Sequence, residues 1–475
     1  MPSLLSLNYD VLENILSYLH GEDALNLALC CKELHELALP RVSAVAECYS
    51  PEQLRELCAY MLSGPRYPVQ HLEELHIHYT TFAEEGGDPD DTPFSADDED
   101  EDDDDDEDEV YWDFSQAHLV RDLLLHAAGL RRLTLHRVHP LLEREPLIGA
   151  ALCALPRLAA LELCTVAEPT FPLLARLSPG LRALHFAYSG EEDDLEDGPH
   201  SALLLLRVLA PLQRLHTLVL ENFCPWPQGG AFVAPRFPAL RTLTLQYVTA
   251  AALPFVDLCP NVRSVELLVD EYKPYYDCLT LPRDGRVWGR LRHLELAALW
   301  ETYLVRNRLK TLDSVRVRMC ALTQEERPVT SCGQARVTAL FELLAATNPV
   351  SFELPVCVGW TPMTFWADVP ALAPRLRILK LQVRIAALTE ANACWLDNIA
   401  DALSPLPLLY LSIYLPPHPF VLNTAECILH MDEDGALIPS DPELARAFAA
   451  AKRVEERRPA AVAALPQRLA AALPT

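Results

Sequence analysis

The chain has 475 residues, a formal net charge of −28 and 87 leucines, about 18% of the total. Half of it is apolar, glycine is scarce at 16 and proline plentiful at 39. That is enough apolar material for a large core, and length alone sets a loose expectation of about three domains. The charge is local. Residues 84–109 hold 18 Asp and Glu and no Lys or Arg, residues 191–197 hold six more acids, and without these segments the remainder carries about −4. A near-neutral body without a basic stripe argues against binding nucleic acid through its phosphates, so no nucleic-acid partner is expected.

The opening MPSLLSLNYD has no basic n-region, and Asp10 interrupts its apolar run. No secretory signal is expected. No window approaches 18 uncharged apolar residues, so neither a membrane span nor a membrane partner is expected. The 14 cysteines are scattered, without C-x-x-C or zinc spacing. They read as free thiols of a reducing compartment, cytoplasm or nucleus.

Residues 7–39 predict three short helices. Asn8 is placed to cap the first. Leu12, Ile15, Leu16 and Leu19 then recur at i, i+3, i+4 and i+7, with Val11 widening the stripe and Gly21 expected to end the helix. A second helix follows Glu22-Asp23, with Leu25, Ala28 and Leu29 on one face. A third runs from Cys31 to Leu39 through Leu34 and Leu37, with Pro40 expected to stop it. So small a unit is unstable alone and must pack on something else. A plain N-terminal cap on the next domain is one reading.

The stretch also resembles an F-box over residues 4–42. Leu7, Asp10, Leu12, Ile15, Leu16, Leu19, Asp23, Leu25 and Cys31 stand in the motif's order. The sequence departs from it at Asn8, where proline is usual, and at Leu34, where an aromatic is usual. The resemblance implies docking onto the Skp-type adaptor of a cullin-RING ubiquitin ligase. Leu7, Asn8, Val11, Ile15, Leu16 and Leu19 would bind the adaptor or support that face.

Beyond residue 43 one pattern returns, Leu-x-x-Leu-x-Leu. It stands at 71–77, 129–135, 157–163, 180–186, 214–220, 239–245, 261–267, 290–296, 311–317, 375–381 and 407–413, and more weakly at 349–354. Its last two apolar positions alternate at period 2, as a half-buried strand requires. Helix-like stretches lie between, at 145–155, 201–212, 337–347 and 390–406. Pro156, Pro211, Pro238, Pro260, Pro374 and Pro407 mark the return to the next strand. Strand, turn and helix at 21–34 residues is the signature of a leucine-rich repeat.

The expected fold is therefore α/β: a three-helix F-box over 4–42, then a leucine-rich-repeat solenoid over 43–430. The parallel sheet would be concave and the helices convex. Residues 82–112 would form an acidic disordered insertion, and 431–475 a C-terminal helix (about 441–458) and tail. Longer insertions are expected at 82–129, 270–290 and 320–336. The usual Asn or Cys after the third leucine is replaced by Val138, Val166, Ser189, Phe223, Val248, Asp270, Leu299 and Arg384. Only Cys320 fits, with Cys357 in the weak repeat. The combination resembles the irregular F-box/leucine-rich-repeat proteins numerous in fungi.

The outward x positions of the strands are candidates for partner contact. They include Arg132, Thr134, His136, Glu162, His185, Thr244, Glu266 and Glu295, and toward the C-terminus Arg316, Arg318, Lys380, Gln382, Tyr410 and Tyr414. The last six form the candidate substrate face, and their basic members would accept an acidic or phosphorylated segment. A recurring Arg after the first leucine reads as a solvated rim. The thirteen consecutive carboxylates at 97–109 admit three readings: a solvating loop, a tether for a basic partner, or a shield over a basic patch.

No catalytic motif is present, and no cofactor is expected. Metal binding at His76 and His78 would lack a third ligand nearby. The sequence reading is a non-catalytic substrate receptor. Its partners would be a Skp-type adaptor with its cullin complex and an unidentified protein substrate. The alternative is an acidic repeat scaffold that binds basic nuclear proteins without a ligase.

Overall fold

The computed structural model describes residues 7–19, 21–63, 68–83, 112–189, 199–222, 235–248, 252–269, 287–298, 301–319, 332–358, 363–385, 399, 401–414, 429–431 and 437–439. The acidic runs and the expected C-terminal helix at 441–458 lie outside these residues. The chain divides into two compact units, 1–262 and 263–475.

The first unit opens with helices α1 (Tyr9–Ser17), α2 (Gly21–Ala28) and α3 (Lys32–Val42). Three expectations change here. Asn8 occupies the cap position, but its side chain makes no capping bond. Its carbonyl instead accepts from the amides of Val11 and Leu12, both at 3.0 Å. Gly21 begins α2 rather than closing α1, which ends at Tyr18 in right-handed helical geometry. Pro40 lies within α3. In the last turn a proline forfeits one hydrogen bond without breaking a long ladder. The Ser43 amide bonds the Leu39 carbonyl at 3.0 Å, so the turn still closes.

Strands β1 (Val45–Cys48), β2 (Glu74–Ile77), β3 (Arg132–Leu135), β4 (Ala160–Val166), β5 (Ala183–Tyr188), β6 (Thr217–Glu221) and β7 (Thr242–Val248) follow, each parallel to the one before. The second unit repeats the plan with β8 (Ser264–Val269), β9 (His293–Ala298), β10 (Ser314–Met319), β11 (Ser351–Val358), β12 (Ile378–Ile385) and β13 (Tyr410–Tyr414). A short antiparallel pair, Leu429–Met431 with Leu437–Pro439, lies near its end. Adjacent parallel strands need a crossover between them. In the first unit helices such as α4 (Pro51–Met61), α5 (Ala117–His126), α6 (Val138–Arg144) and α7 (Leu147–Ala154) supply it. This is a leucine-rich-repeat arrangement.

Every strand forecast by the repeat is present. β1 was missed because Ala46 and Cys48 fill the inward positions that leucines hold elsewhere. The expected insertion 82–129 is too long, since α5 within it is a regular repeat helix packed on α4 and α7. The 320–336 insertion likewise overlaps helix Cys332–Thr347. Ala83 and Trp112 pair as an antiparallel bridge, and the Asp113 amide bonds the Phe82 carbonyl at 2.8 Å. The chain thus leaves and re-enters the unit at one place.

Inward positions are closed to solvent: Leu75, Ile77, Leu133, Leu135 and Leu163 are fully buried, as are Leu218 and Leu220. The turn after the strands is built unusually. Two residues beyond the third inward apolar residue the backbone is left-handed at Arg137 (φ 53°), Thr165 (φ 58°), Asn222 (φ 53°) and Tyr247 (φ 51°). Strict alternation would aim the next residue outward. The left-handed step turns Val138, Val166 and Val248 into the core instead, each fully buried. Apolar packing thus does what a side-chain hydrogen bond does in the usual repeat.

A β-branched residue is strained in this conformation, by about 1–2 kcal/mol. Thr165→Gly relieves that strain while losing little packing. It is expected to raise the thermal midpoint, with a net gain under about 1 kcal/mol after the unfolded-state entropy of glycine. Calorimetry checks the direction.

Candidate protein-interaction sites

The first site is the surface of α1 and α2. Leu16 is 5% exposed and packs with Ala28 and Ala38, flanked by Leu19, Leu27 and Leu37. The Arg41 guanidinium donates through Nε to the Leu19 carbonyl at 2.9 Å, tying α3 to the end of α1. Leu16 and Leu19, placed among the adaptor-binding residues by the sequence, therefore serve the interior of the motif. Val11 (45% exposed), Ile15 (36%) and Tyr18 (78%) recur at i, i+4 and i+7 on a different face. Leu7 and Asn8 are exposed just upstream.

So α1 carries two apolar stripes, one residue and hence about 100° apart. One stripe is needed for its own core. On α2 the buried positions are Ala24 and Ala28, while Leu25 and, just past the helix, Leu29 face solvent. This corrects the expectation of one shared face for Leu25, Ala28 and Leu29. Small alanines let α2 approach α3 closely and leave the leucines outside.

The second site is the open face of β1–β6. Register places Glu47, His76, Thr134, Glu162 and His185 in one row across five strands. The His76 Nδ1 and Thr134 Oγ1 lie 3.0 Å apart, and Thr134 donates to Glu162 Oε2 at 3.2 Å. His185 bridges two carboxylates, with Nδ1 3.0 Å from Glu162 Oε1 and Nε2 2.9 Å from Glu221 Oε1. Thr134 is buried although it points outward, because these neighbours cover it.

Burial alone would lower the His185 pKa, but its contacts with the Glu162 and Glu221 carboxylates and their charges outweigh this and raise it to about 9. The hydrogen bond from His185 holds the Glu162 carboxyl below its ordinary range, against an opposing effect of burial. Burial lowers the pKa of His136, partly opposed by the charge of Glu162. A second row crosses the strand ends. Tyr49 stacks on His78 with centroids 4.0 Å apart and planes at 14°. His78 lies 5.8 Å from His136 at 17°. His76 and His78, weighed as metal ligands, thus bond Thr134 and enter this stack.

The third site, the open face of β8–β13, holds the residues expected to accept an acidic segment. Their cations are engaged internally. Arg316 lies 3.5 Å from Glu295 and 3.3 Å from Glu353. Arg318 pairs with Glu266 at 2.6 Å and also with Glu295, and Lys380 lies 3.8 Å from Glu353. Three cations meet three carboxylates, so the expected basic patch is neutral. Spacing along the strand showed the arginines. The glutamates come from neighbouring strands, and register was needed to bring them opposite. Tyr410 is exposed at the end of this face. Gln382 and Tyr414 belong to β12 and β13, and their side chains lie outside the described residues. The recurring rim arginines behave as expected. Arg131 lies 3.6 Å from Glu73, and Arg377 donates to the Pro374 and Leu376 carbonyls at 3.0 Å.

Among the described residues no group of three or more His, Cys, Asp or Glu is arranged to hold a metal ion. No helix among them is long and apolar enough to cross a membrane.

Residues 4–39 match the F-box domain family. No curated protein matches the chain. Among solved structures the chain is similar to one in "Crystal structure of TLR13-ssRNA13 complex", at 13% identity and a TM-score of 0.31. The likeness covers 61% of this chain and 46% of that one, so this chain spans less than half the length of that relative.

Two outcomes test the electrostatics. The raised His185 pKa means its contacts stabilise the fold fully below about pH 6.5, and that stabilisation is lost as pH rises through about 9. Histidine-ring NMR should show a His185 midpoint near 9, and His185→Gln should flatten the urea midpoint between neutral and alkaline pH relative to wild type. On the other face, register sets Glu266 opposite Glu295. Arg318→Ala leaves these like charges facing each other and should cost about 1 kcal/mol, discounted for exposure, in urea unfolding.

Proposed function

We propose that this chain is the substrate-recognition subunit of a Skp–cullin–F-box ubiquitin ligase in the cytoplasm or nucleus. The α1–α3 motif docks the Skp-type adaptor, and the open sheet faces bind a protein substrate. Ubiquitin transfer belongs to other subunits. The receptor contributes proximity, converting a bimolecular encounter into an effectively intramolecular one.

The observation that supports this reading most is the second apolar stripe on α1. A small motif needing only its own core would keep polar residues at Val11, Ile15 and Tyr18. These exposed apolar residues, with Leu25 of α2 and Leu29 just beyond it, fit helix-in-groove recognition by a partner. Asn8 departs from the family's proline, yet its carbonyl starts the helix and so fixes where Val11 and Ile15 emerge.

The burial pattern also selects the variant. A charge at Leu16 would break the core and abolish binding for a trivial reason. Val11→Asp combined with Ile15→Asp leaves Leu12, Leu16 and Leu19 in place. Each burial contributes about 1.5–3 kcal/mol, so adaptor affinity should fall at least about a hundredfold. Co-purification of the adaptor checks it, with circular dichroism of the variant to confirm folding. Undiminished adaptor recovery by the folded double variant would sink the reading.

A further inference from the structure

The two open faces differ in how their charges close. On β8–β13 each carboxylate of the network has a cationic partner. On β1–β6, Glu162 and Glu221 share the single imidazolium of His185 among the described residues, which leaves one negative charge over there. Glu47 adds another, bonded only to the Tyr49 hydroxyl at 2.6 Å among its described contacts.

The row across the strand ends gives this surplus a shape. Continuing the register by one residue, it reads Tyr49, His78, His136 and Cys164. The register with β5 shifts between Leu163 and Val166, and beyond that shift Ala187 lies opposite Glu221. Three stacked rings are thus followed by a small side chain. Strands are about 4.8 Å apart, so one further planar group would continue the stack beside His136 and above Cys164. That position adjoins Glu162, whose charge acts on the His136 ring.

We propose that this slot, beside His136 and over the half-buried Cys164, captures an arginine side chain of a partner protein, the guanidinium stacking on His136 and pairing with Glu162. A planar cation satisfies both features: its face stacks on an aromatic ring, and its fork matches a carboxylate. An ammonium supplies the charge without the plane. A phosphate supplies the wrong sign and meets the surplus carboxylates. The rim supports the same guest, because Tyr49 and Tyr79 stand 48% exposed beside the ring row.

The proposal deepens the receptor reading by naming a substrate feature, and it rests on that reading only in calling the partner a substrate. The test uses the full chain with ring-labelled histidine at pH 7.5. The probes are the blocked tripeptides Gly-Arg-Gly, Gly-Lys-Gly and Gly-phosphoserine-Gly. Site-resolved ring signals are needed, because the acidic runs attract any cation.

The expected result is a saturable shift of the His136 and His185 signals with the arginine peptide. The lysine peptide should bind roughly tenfold more weakly, and the phosphoserine peptide should leave both signals unmoved. Cys164→Phe puts a ring into the slot, keeps every carboxylate and should abolish the shift. Glu162→Gln, used alongside it, should weaken binding without filling the slot. Retained binding in folded Cys164→Phe overturns the proposal, as does equal response to lysine or no saturable shift at His136. Adaptor co-purification with Cys164→Phe should be unchanged. Loss of adaptor binding in the wild-type chain would instead remove the receptor reading and leave arginine capture standing.

Discussion

Within each unit the sheet is organised by one repeated backbone interaction. In nearly every repeat a single carbonyl, just before a strand, accepts hydrogen bonds from two consecutive amides of the next repeat. Glu73 receives Arg131 and Arg132 at 2.7 and 2.9 Å, Arg131 receives Ala159 and Ala160, and Arg182 receives His216 and Thr217. In the second unit Arg292 receives Asp313 and Ser314, and Arg377 receives Leu409 and Tyr410. A carbonyl has two lone pairs, and both are used. The paired bonds leave no freedom to slip by one residue, a slip that would turn every inward leucine to solvent. The recurring arginine often occupies this position. Its main chain serves the ladder while its side chain solvates the rim.

Fixed register turns isolated residues into rows, and the open sheet faces are made of those rows. Glu162 and His185 are neighbours only because Ala160 lies opposite Ala183. Arg316 reaches Glu295 and Glu353 because three strands align without offset. Charge was legible in the sequence residue by residue, but its compensation was not. The sequence therefore pointed to a basic face at Arg316, Arg318 and Lys380, where cross-strand glutamates neutralise it. It gave no prominence to β1–β6, where one histidine is shared by two carboxylates.

Much of the fold was legible because period-2 leucine spacing survives any loop between repeats. Weaker signals were lost for identifiable reasons. β1 hides behind Ala46 and Cys48, whose small side chains suit an end strand beside α4 but carry no hydrophobic pattern. The left-handed turn at Arg137, Thr165, Asn222 and Tyr247 recurs at one repeat position with four different residue types. No glycine advertises it. Its one sequence trace is the valine that follows at Val138, Val166 and Val248, which read only as a missing Asn or Cys.

In α1 the legible feature was a broad apolar stripe, and its division into two was not. Periodicity groups Val11, Leu12, Ile15, Leu16 and Leu19 together, because residues 100° apart fall within one wide face. Only the alanines of α2 and α3 separate them. Ala24, Ala28 and Ala38 leave room for Leu16 and too little for a second row. The core is thus satisfied by half of the apolar surface the helix offers, and the other half remains exposed at a stability cost that a bound partner would remove. The same economy holds on β1–β6, where a ring row ends at a small side chain and, among the described residues, a carboxylate pair has one cation too few. In both places the folded chain is complete by itself while its surface chemistry is not.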